Sequence, residues 1–381
     1  MLAAASMNPP QIDKKFLIML SLLLVLGLVM LTSASGPVAW QKFGDSYWYV
    51  KHQLFYGLLP GLVLFFLFSH IDYRVLRRLA RPLFYLSLIL LLLVFVPGIG
   101  AEWGTSKSWI GFFNFSFQPA EVVKLTLLLF FADWLANCDR EEIIDPHRGL
   151  LPFLLVLGLV AVLLILQPDL GSLSVIAALS IIVFFLAGAP WMHLAGISAG
   201  GVLALWILIK SAPYRAARLM TFLQPELDPQ GIGYHINQSF LAIGSGGLFG
   251  LGLGHSRQKY MYLPEVVGDS IFAVMAEELG FVLIFIVLML LAGFIWRLLH
   301  IARQAPDGFC FLFVAGVAGW LASQILLNIG SMVGLFPMTG LPLPFMSYGG
   351  TALLVTLAAM GMVANISRHV SKSSRLAGKR L

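Results

Sequence analysis

Charge is scarce in this chain. Of its 381 residues only 11% are Asp, Glu, Lys or Arg, against 59% hydrophobic, and the mean hydropathy is +0.90. Such a composition excludes both a disordered chain and an ordinary water-soluble globular domain, and points to a polytopic membrane protein. Cysteine is almost missing too. Cys138 and Cys310 are the only two, both near expected cytoplasmic helix ends, so no disulfide framework is expected. No Cys/His grouping has zinc-site spacing. The net charge of +6 lies mostly in loops beside apolar runs. It therefore reads as membrane topology rather than a nucleic-acid footprint, and no nucleic-acid partner is expected. No internal repeat or pair of inverted halves is visible, which argues against a secondary transporter.

What is present is a series of apolar segments long enough to cross a bilayer. About ten are expected, at 16–35, 50–70, 80–97, 119–137, 150–167, 170–188, 191–210, 270–296, 309–333 and 346–366. Lys14 and Lys15 ahead of the first run also suit a signal peptide. That run is long for one and further spans follow, so an uncleaved first span is expected. Basic residues mark alternate loops: Lys14 and Lys15, then Arg74, Arg77, Arg78 and Arg81, then Arg140 and Arg148, then Arg297 and Arg303, and a basic tail after the last span. The bias predicts both termini on the cytoplasmic side. The expected fold is an all-α polytopic membrane protein forming one domain over 1–381. It has a cytoplasmic tail at 1–15, a long extracytoplasmic loop at 211–268 between spans seven and eight, and a basic tail at 367–381. A loop that long is uncommon unless functional, and ordered, partly helical, membrane-surface structure is expected for it. The Pro/Gly-rich stretch 336–351 has to be buried in protein or line a wet cavity.

Several polar residues stand where apolar ones would be cheaper. In Gln118-Pro119-Ala120-Glu121, Pro119 suits a first helical position and Glu121 the first turn, and Lys124 lies three residues on. The pair is either a self-neutralising strut or part of a pocket. In Gln167-Pro168-Asp169-Leu170-Gly171, Asp169 is a helix cap or a charge facing a cavity. Asp228-Pro229-Gln230-Gly231 reads as a turn into a helix that puts His235 and Gln238 on one face. Arg215 and Arg218, three apart, suit a phosphate or the headgroup layer. Trp109 and Lys107 lie in the polar, aromatic segment 98–119.

The densest group is Leu263 to Gly280, with Glu265, Asp269, Glu277 and Glu278. Asp269 is expected at or near a helix N-cap. Positions 269 and 277 lie about 80° apart on a helix at 100° per residue, so both can look into one cavity. Glu277 and Glu278 suit structural pairing with buried donors.

Taken in order, these motifs resemble the SEDS family (shape, elongation, division and sporulation) of FtsW/RodA-like proteins. The resemblance covers all ten spans. It rests on Gln118 to Glu121 with Lys124, Gln167 to Gly171, Asp228-Pro229 through Gly233-Tyr234-His235 and Gln238-Ser239, Ala242 to Leu248, Leu263-Pro264-Glu265, Asp269 with Glu277 to Gly280, and Leu343 to Gly350 with Ser347. It implies a peptidoglycan glycosyltransferase that polymerises lipid II on the outer face of the bacterial cytoplasmic membrane. The implied partners are a class B penicillin-binding transpeptidase and other divisome or elongasome membrane proteins, and the implied cofactor is a divalent cation, Mg or Mn. The family's catalytic acid falls on Asp269. Expected substrate contacts are Lys107, Trp109, Glu121, Lys124, Asp169, Arg215, Arg218, His235, Gln238 and Ser347. Two departures stand out. Val267-Gly268 precede Asp269 where the family usually has a pair such as His-Thr, and Ser106-Lys107-Ser108-Trp109 replaces an Arg-Trp. Tyr214-Arg215, Arg218 and Ser256 to Lys259 favour the division and sporulation branch. A lipid II flippase and a non-catalytic transpeptidase scaffold are the alternative readings. Charge concentrated on the outer side speaks against the first, and Asp269 has no purpose in the second.

Overall fold

The computed structural model describes residues 12–103, 106–112, 115–210, 213–224 and 231–377. Each of the ten expected spans corresponds to a helix: α1 Lys14–Phe43, α2 Trp48–Gln53 continuing through one π-helical turn into α3 Leu59–His70, α4 Tyr73–Leu93, α5 Pro119–Ala136, α7 Leu151–Leu166, α8 Leu170–Leu186, α9 Trp191–Lys210, α12 Ile271–Arg303, α13 Gly308–Met332 and α14 Gly350–Ala377. Short helices α6 Arg140–Ile144, α10 Pro213–Leu223 and α11 Ile232–Ser245 fill connections. By length and composition alone, seven helical stretches suffice to cross a membrane. The other three spans are short or charged: α8 has 17 residues, α5 carries Glu121, Lys124 and Asp133, and α4 opens with four arginines.

Hydropathy places some helix ends short. α14 continues past the expected limit at 366 to Ala377 because no proline interrupts it. Segment 98–119 holds the only β-sheet among the described residues, an antiparallel meander β1 Gly100–Trp103, β2 Ser106–Phe112 and β3 Phe115–Phe117. Its aromatic and β-branched content suits strands, and Ile110 lies opposite Gly100 on one side and Phe117 on the other.

The core sits where α14 packs on α3, α13 packs on α5, α8 and α12, and α4 packs on α5. α14 and α5 are largely enclosed, whereas α9 has no buried residue. Lipid-facing apolar surface is expected on such a bundle, since lipid tails are as apolar as leucine. One end of the bundle gathers both ends of the described core: the Asp13 amide donates to Ser367 Oγ at 3.2 Å, Arg297 pairs with Asp13, and the Tyr73 amide donates to Asn365 Oδ1 at 3.2 Å. The opposite end carries the sheet, α11 and the non-helical stretch 336–349.

That stretch is enclosed: Leu341, Leu343, Phe345, Met346 and Ser347 are all buried. Neighbours take up several of its backbone polar groups, as non-helical backbone at membrane depth requires. Gln324 Nε2 donates to Pro342 O at 2.8 Å, and Asn328 Nδ2 to Leu341 O at 2.7 Å. From the other side α1 presses in. A Cβ at Gly27 would stand 2.0 Å from Phe345 O, so only glycine permits this approach.

Candidate active site

The site begins with a helix that breaks. Gly280 stops α12 one residue after Leu279 with φ 73° and ψ 175°, a conformation side chains other than hydrogen rarely allow. Breaking a helix strands carbonyls on one half and amides on the other. The loop after α11 takes up both. Amides of Leu251 and Gly252 donate to Glu277 O and Glu278 O at 2.9 and 3.0 Å, while Phe281 and Val282 amides donate to Gly247 O and Leu248 O at 2.9 and 3.1 Å. The glycines of 244–254 thus fold into the break, and the short half-helix 271–279 becomes a fixed platform.

Glu277 and Glu278 lock the platform from their side chains. Glu277 accepts from Ser256 Oγ at 2.5 Å and from the amides of Arg257 and Gln258 at 3.0 and 3.3 Å. Glu278 pairs with Lys259 at 2.8 Å and accepts from Ser33 Oγ at 2.5 Å. All three ionic side chains are nearly inaccessible. Glu277 therefore turns to the 256–258 turn, whose bare amides need an acceptor, instead of sharing a cavity with Asp269.

Asp269 stands just ahead of the platform. The helix N-cap is Ser270, not Asp269. The Asp269 carboxylate stands just before that cap, half-buried, with Oδ1 3.4 Å from Ser270 Oγ. Its backbone is held: Asn328 Nδ2 donates to Asp269 O at 2.8 Å while also gripping Leu341 O. The amides of Gly268 and Ser270 donate to Glu265 O at 3.0 and 3.2 Å. Burial, reinforced by the negative charge of Glu265, pushes the Asp269 carboxyl up to about 7. His235 on α11 meets the same corner, with Nε2 2.5 Å from Ser270 Oγ. Burial pushes its pKa down to about 4, so its ring is neutral at neutral pH. Gln238 lies on α11 three residues on and is partly exposed.

A second polar group lies beneath the 336–349 stretch. Lys124 Nζ pairs with Glu121 at 2.7 Å, both buried, and donates to Gln324 Oε1 at 3.0 Å. Trp320 Nε1 donates to the same oxygen at 2.9 Å. Asp169 accepts from the Ser172 amide at 2.9 Å, which caps α8, and from Gln118 Nε2 at 3.1 Å, which ties the two proline motifs together. Ser347 Oγ accepts from the Leu343 amide at 2.8 Å and its carbonyl accepts from Gln53 Nε2 at 3.3 Å, so its polar atoms serve the loop itself.

The structure thus brings Asp269, His235 and Gln238 to one corner. Glu121, Lys124, Asp169 and Ser347 form the support around the 336–349 stretch, joined to Asp269 through α13, where Gln324 and Asn328 sit one turn apart. Trp109 lies on β2 opposite Ala101. Lys107 is on β2, and Arg215 and Arg218 are on α10, but their side chains lie outside the described residues, as do Asp228-Pro229-Gln230 altogether. The residues missed in the sequence are Ser270, Gln324 and Asn328. The available signal was two amide side chains four apart in an otherwise apolar span.

Among the described residues, no three His, Cys, Asp or Glu side chains assemble as a metal site. The negative charge of Glu265 acts on the Asp269 carboxyl. One or two carboxylates completed by substrate phosphates is the usual holding of Mg²⁺.

Residues 13–372 match the family model for FtsW, RodA and SpoVE, described as cell cycle protein. Stage V sporulation protein E of Bacillus subtilis is 40% identical over 357 residues, covering 94% of this chain and 97% of that protein. A probable peptidoglycan glycosyltransferase FtsW of Trichlorobacter lovleyi is 38% identical over 367 residues, covering 96% of each chain. Among solved structures, a chain of a peptidoglycan synthase complex that coordinates polymerization and crosslinking aligns with TM-score 0.78 and 32% identity over 94% of this chain and 98% of that one. The rod shape determining protein RodA of Thermus thermophilus aligns with TM-score 0.69 and 32% identity over 94% and 97%.

Proposed function

The chain belongs to the FtsW/RodA/SpoVE family of cell cycle proteins, and from that premise we propose that it is a SEDS peptidoglycan glycosyltransferase in which Asp269 is the general base. The activity serves cell division or elongation, as the names of its relatives indicate. The substrate is lipid II. The Asp269 carboxylate takes the proton from the acceptor sugar's 4-hydroxyl. That oxygen forms the new bond to the donor's anomeric carbon, and the bond from that carbon to undecaprenyl pyrophosphate breaks. A base poised near the working pH is the efficient choice, and a positioned one contributes about 10²–10⁴-fold.

One observation carries this reading: Asp269 is a half-buried carboxylate with its pKa raised to about 7, left uncapped at the mouth of a helix whose other carboxylates are already engaged. Ser270 and neutral His235 orient the corner. Lys107 on β2 and Arg215 and Arg218 on α10 would supply the charge that stabilises the leaving pyrophosphate. A divalent cation held by Glu265 and the substrate's phosphates would add to it. Trp109, Gln238 and the support built by Glu121, Lys124, Asp169 and Ser347 complete the substrate-binding region.

The remaining proposals concern setting. The bacterial cytoplasmic membrane is the location. The bundle end bearing Asp13 and Arg297 faces the cytoplasm, since the arginine-rich loops lie there. A class B transpeptidase is the partner, in keeping with the likeness to a chain of a peptidoglycan synthase complex. The exposed apolar outer faces of α12 and α13 are its docking surface, with Phe281, Phe285 and Met289 in line on α12.

Polymerisation of purified lipid II, with products resolved on a gel, tests the enzyme and its base together. Wild type should make glycan strands, and Asp269→Ala should make none while inserting and melting normally. Strands from Asp269→Ala at the wild-type rate would remove Asp269 from the mechanism.

A further inference from the structure

Far from Asp269, at the bundle end that carries Asp13 and Arg297, α4 presents Arg74, Arg77, Arg78 and Arg81 around an open cavity of about 510 Å³. Their spacing of three, four and seven puts all four on one side of the helix. Asp133, Asn137 and Asp307 complete the lining, and Asp72 lies 4.0 Å from Arg74 at the rim, so four cations face three carboxylates and the group keeps a net positive charge.

The carboxylates are already employed. Asp133 accepts from Arg77 Nε at 2.9 Å and lies 3.7 Å from Arg81 Nε, and Arg77 also donates to Asn137 Oδ1 at 2.8 Å. Asp307 caps α13 through the Cys310 amide at 2.8 Å and accepts from Tyr73 OH at 3.1 Å. These bonds fix Arg77 as the floor, with its guanidinium over the Phe309 ring at 5.3 Å. Arg74, Arg78 and Arg81 remain exposed at the rim. Planar guanidinium forks in a preset concavity are the usual recognition of phosphate oxygens.

The flank of the rim identifies the source of that phosphate. On the same helix Val75 is 44% exposed and Leu79 43%, next in sequence to Arg74 and Arg78, and Leu86 continues the apolar strip. A ligand seated among the arginines would have its phosphate in the cavity and apolar surface beside it. We infer that this cavity binds the phosphodiester headgroup of an anionic phospholipid, whose acyl chains lie along Val75, Leu79 and Leu86. Basic pockets between spans at the cytoplasmic interface are the general form of such sites. The inference is independent of the role of Asp269.

The test uses the whole protein in detergent with an equimolar mixture of phosphatidylglycerol and phosphatidylcholine, with retained lipid read by native mass spectrometry. Three proteins are compared: wild type, Arg74→Gln/Arg78→Gln/Arg81→Gln, and Lys14→Gln/Lys15→Gln. The arginine variant spares Arg77 because its pairing with Asp133 is structural, and a melting curve checks its fold. The two lysines are exposed at the same membrane end. Wild type and the lysine variant should retain phosphatidylglycerol several-fold over phosphatidylcholine, and the arginine variant should lose that preference. Equal loss in both variants would mean unselective surface charge, and no loss in the arginine variant would mean a different site. Either result overturns the inference. Displacement of the lipid by inorganic phosphate at equal concentration would overturn the lipid in favour of free phosphate. Retention of neither lipid, with a labelled hexaglutamate peptide bound by wild type alone, would overturn it in favour of an acidic protein segment.

Discussion

Replacing Gly280 with alanine should damage both stability and activity. Its φ of 73° and ψ of 175° lie in a region nearly reserved for glycine, and another residue there costs about 1–3 kcal/mol. The added methyl would also stand 2.1 Å from Gly250 N, 2.5 Å from Phe249 C and 2.8 Å from Leu248 O. All three are backbone atoms, so no side chain can swing aside. Relief requires moving the 247–252 loop, which supplies four hydrogen bonds of 2.9 to 3.1 Å across the break. Each is worth about 0.5–1.5 kcal/mol net. Losing two of them with the backbone strain gives roughly 2–6 kcal/mol. In a chain of this size the melting temperature should fall by on the order of 5 °C. Polymerisation should fall by about 10²-fold, since a 1 Å misplacement of a catalytic group costs that much. The assay is thermal melting in one detergent beside the lipid II polymerisation rate. Gly158→Ala in α7 is the control, because its Cβ would meet nothing within 4 Å and helix propensity should favour it by up to about 1 kcal/mol. A Gly280→Ala protein that melts and polymerises like wild type would refute the broken-helix platform.

Three further outcomes follow from named contacts. Lys124→Met strands Glu121 in the buried pair and should cost about 3–5 kcal/mol, whereas Glu121→Leu/Lys124→Met should cost less; melting curves in which the double variant is no better would contradict that pairing. Asn328→Ala removes the grip on Asp269 O and Leu341 O. It should lower kcat roughly tenfold with KM little changed, corresponding to the about 1–3 kcal/mol of an unmade buried hydrogen bond, and a change confined to KM would contradict a positioning role. Asp269→Asn should abolish polymerisation yet raise stability at alkaline pH. The folded carboxyl titrates near 7 against an ordinary 3.8, so the folded protein holds that proton more tightly. The contribution is full below about 4 and is lost as pH rises through 7. The variant, which never ionises, should melt above wild type at pH 8, and the gap should close below pH 4. A variant that melts lower at pH 8 would contradict the buried-carboxyl reading.

The apolar runs made the ten corresponding helices legible, seven of them long and apolar enough to cross a membrane, because a membrane-crossing segment needs its own length of hydrocarbon-compatible sequence. Pro119, Glu121 and Lys124 were legible as a helix start with an ion pair, since their spacing is local. Asp269 was legible as an acid at a polar-to-apolar boundary. Its release from capping duty was not, because that depends on where Ser270 starts the helix. The break at Gly280 was also hidden. Gly280 lies within a stretch that reads as one long helix, and the groups that stabilise the break come from Gly247, Leu248, Leu251 and Gly252, about 30 residues earlier. The partners of Glu277 and Glu278 likewise come from Ser33 and Ser256 to Lys259, and no helical periodicity connects those stretches. The sheet at 100–117 was read only as aromatic and polar loop, because strands this short carry little alternation.

The central claim is that Asp269 works as a base with its own raised pKa. The measurement that bears on it most directly is the pH dependence of kcat/KM for lipid II polymerisation by wild type. His235 is held neutral, with a pKa near 4, so it contributes no transition near neutrality. The account predicts an acid limb centred near pH 7, with activity falling as Asp269 takes up its proton. A rate that stays level down to pH 5 would contradict it.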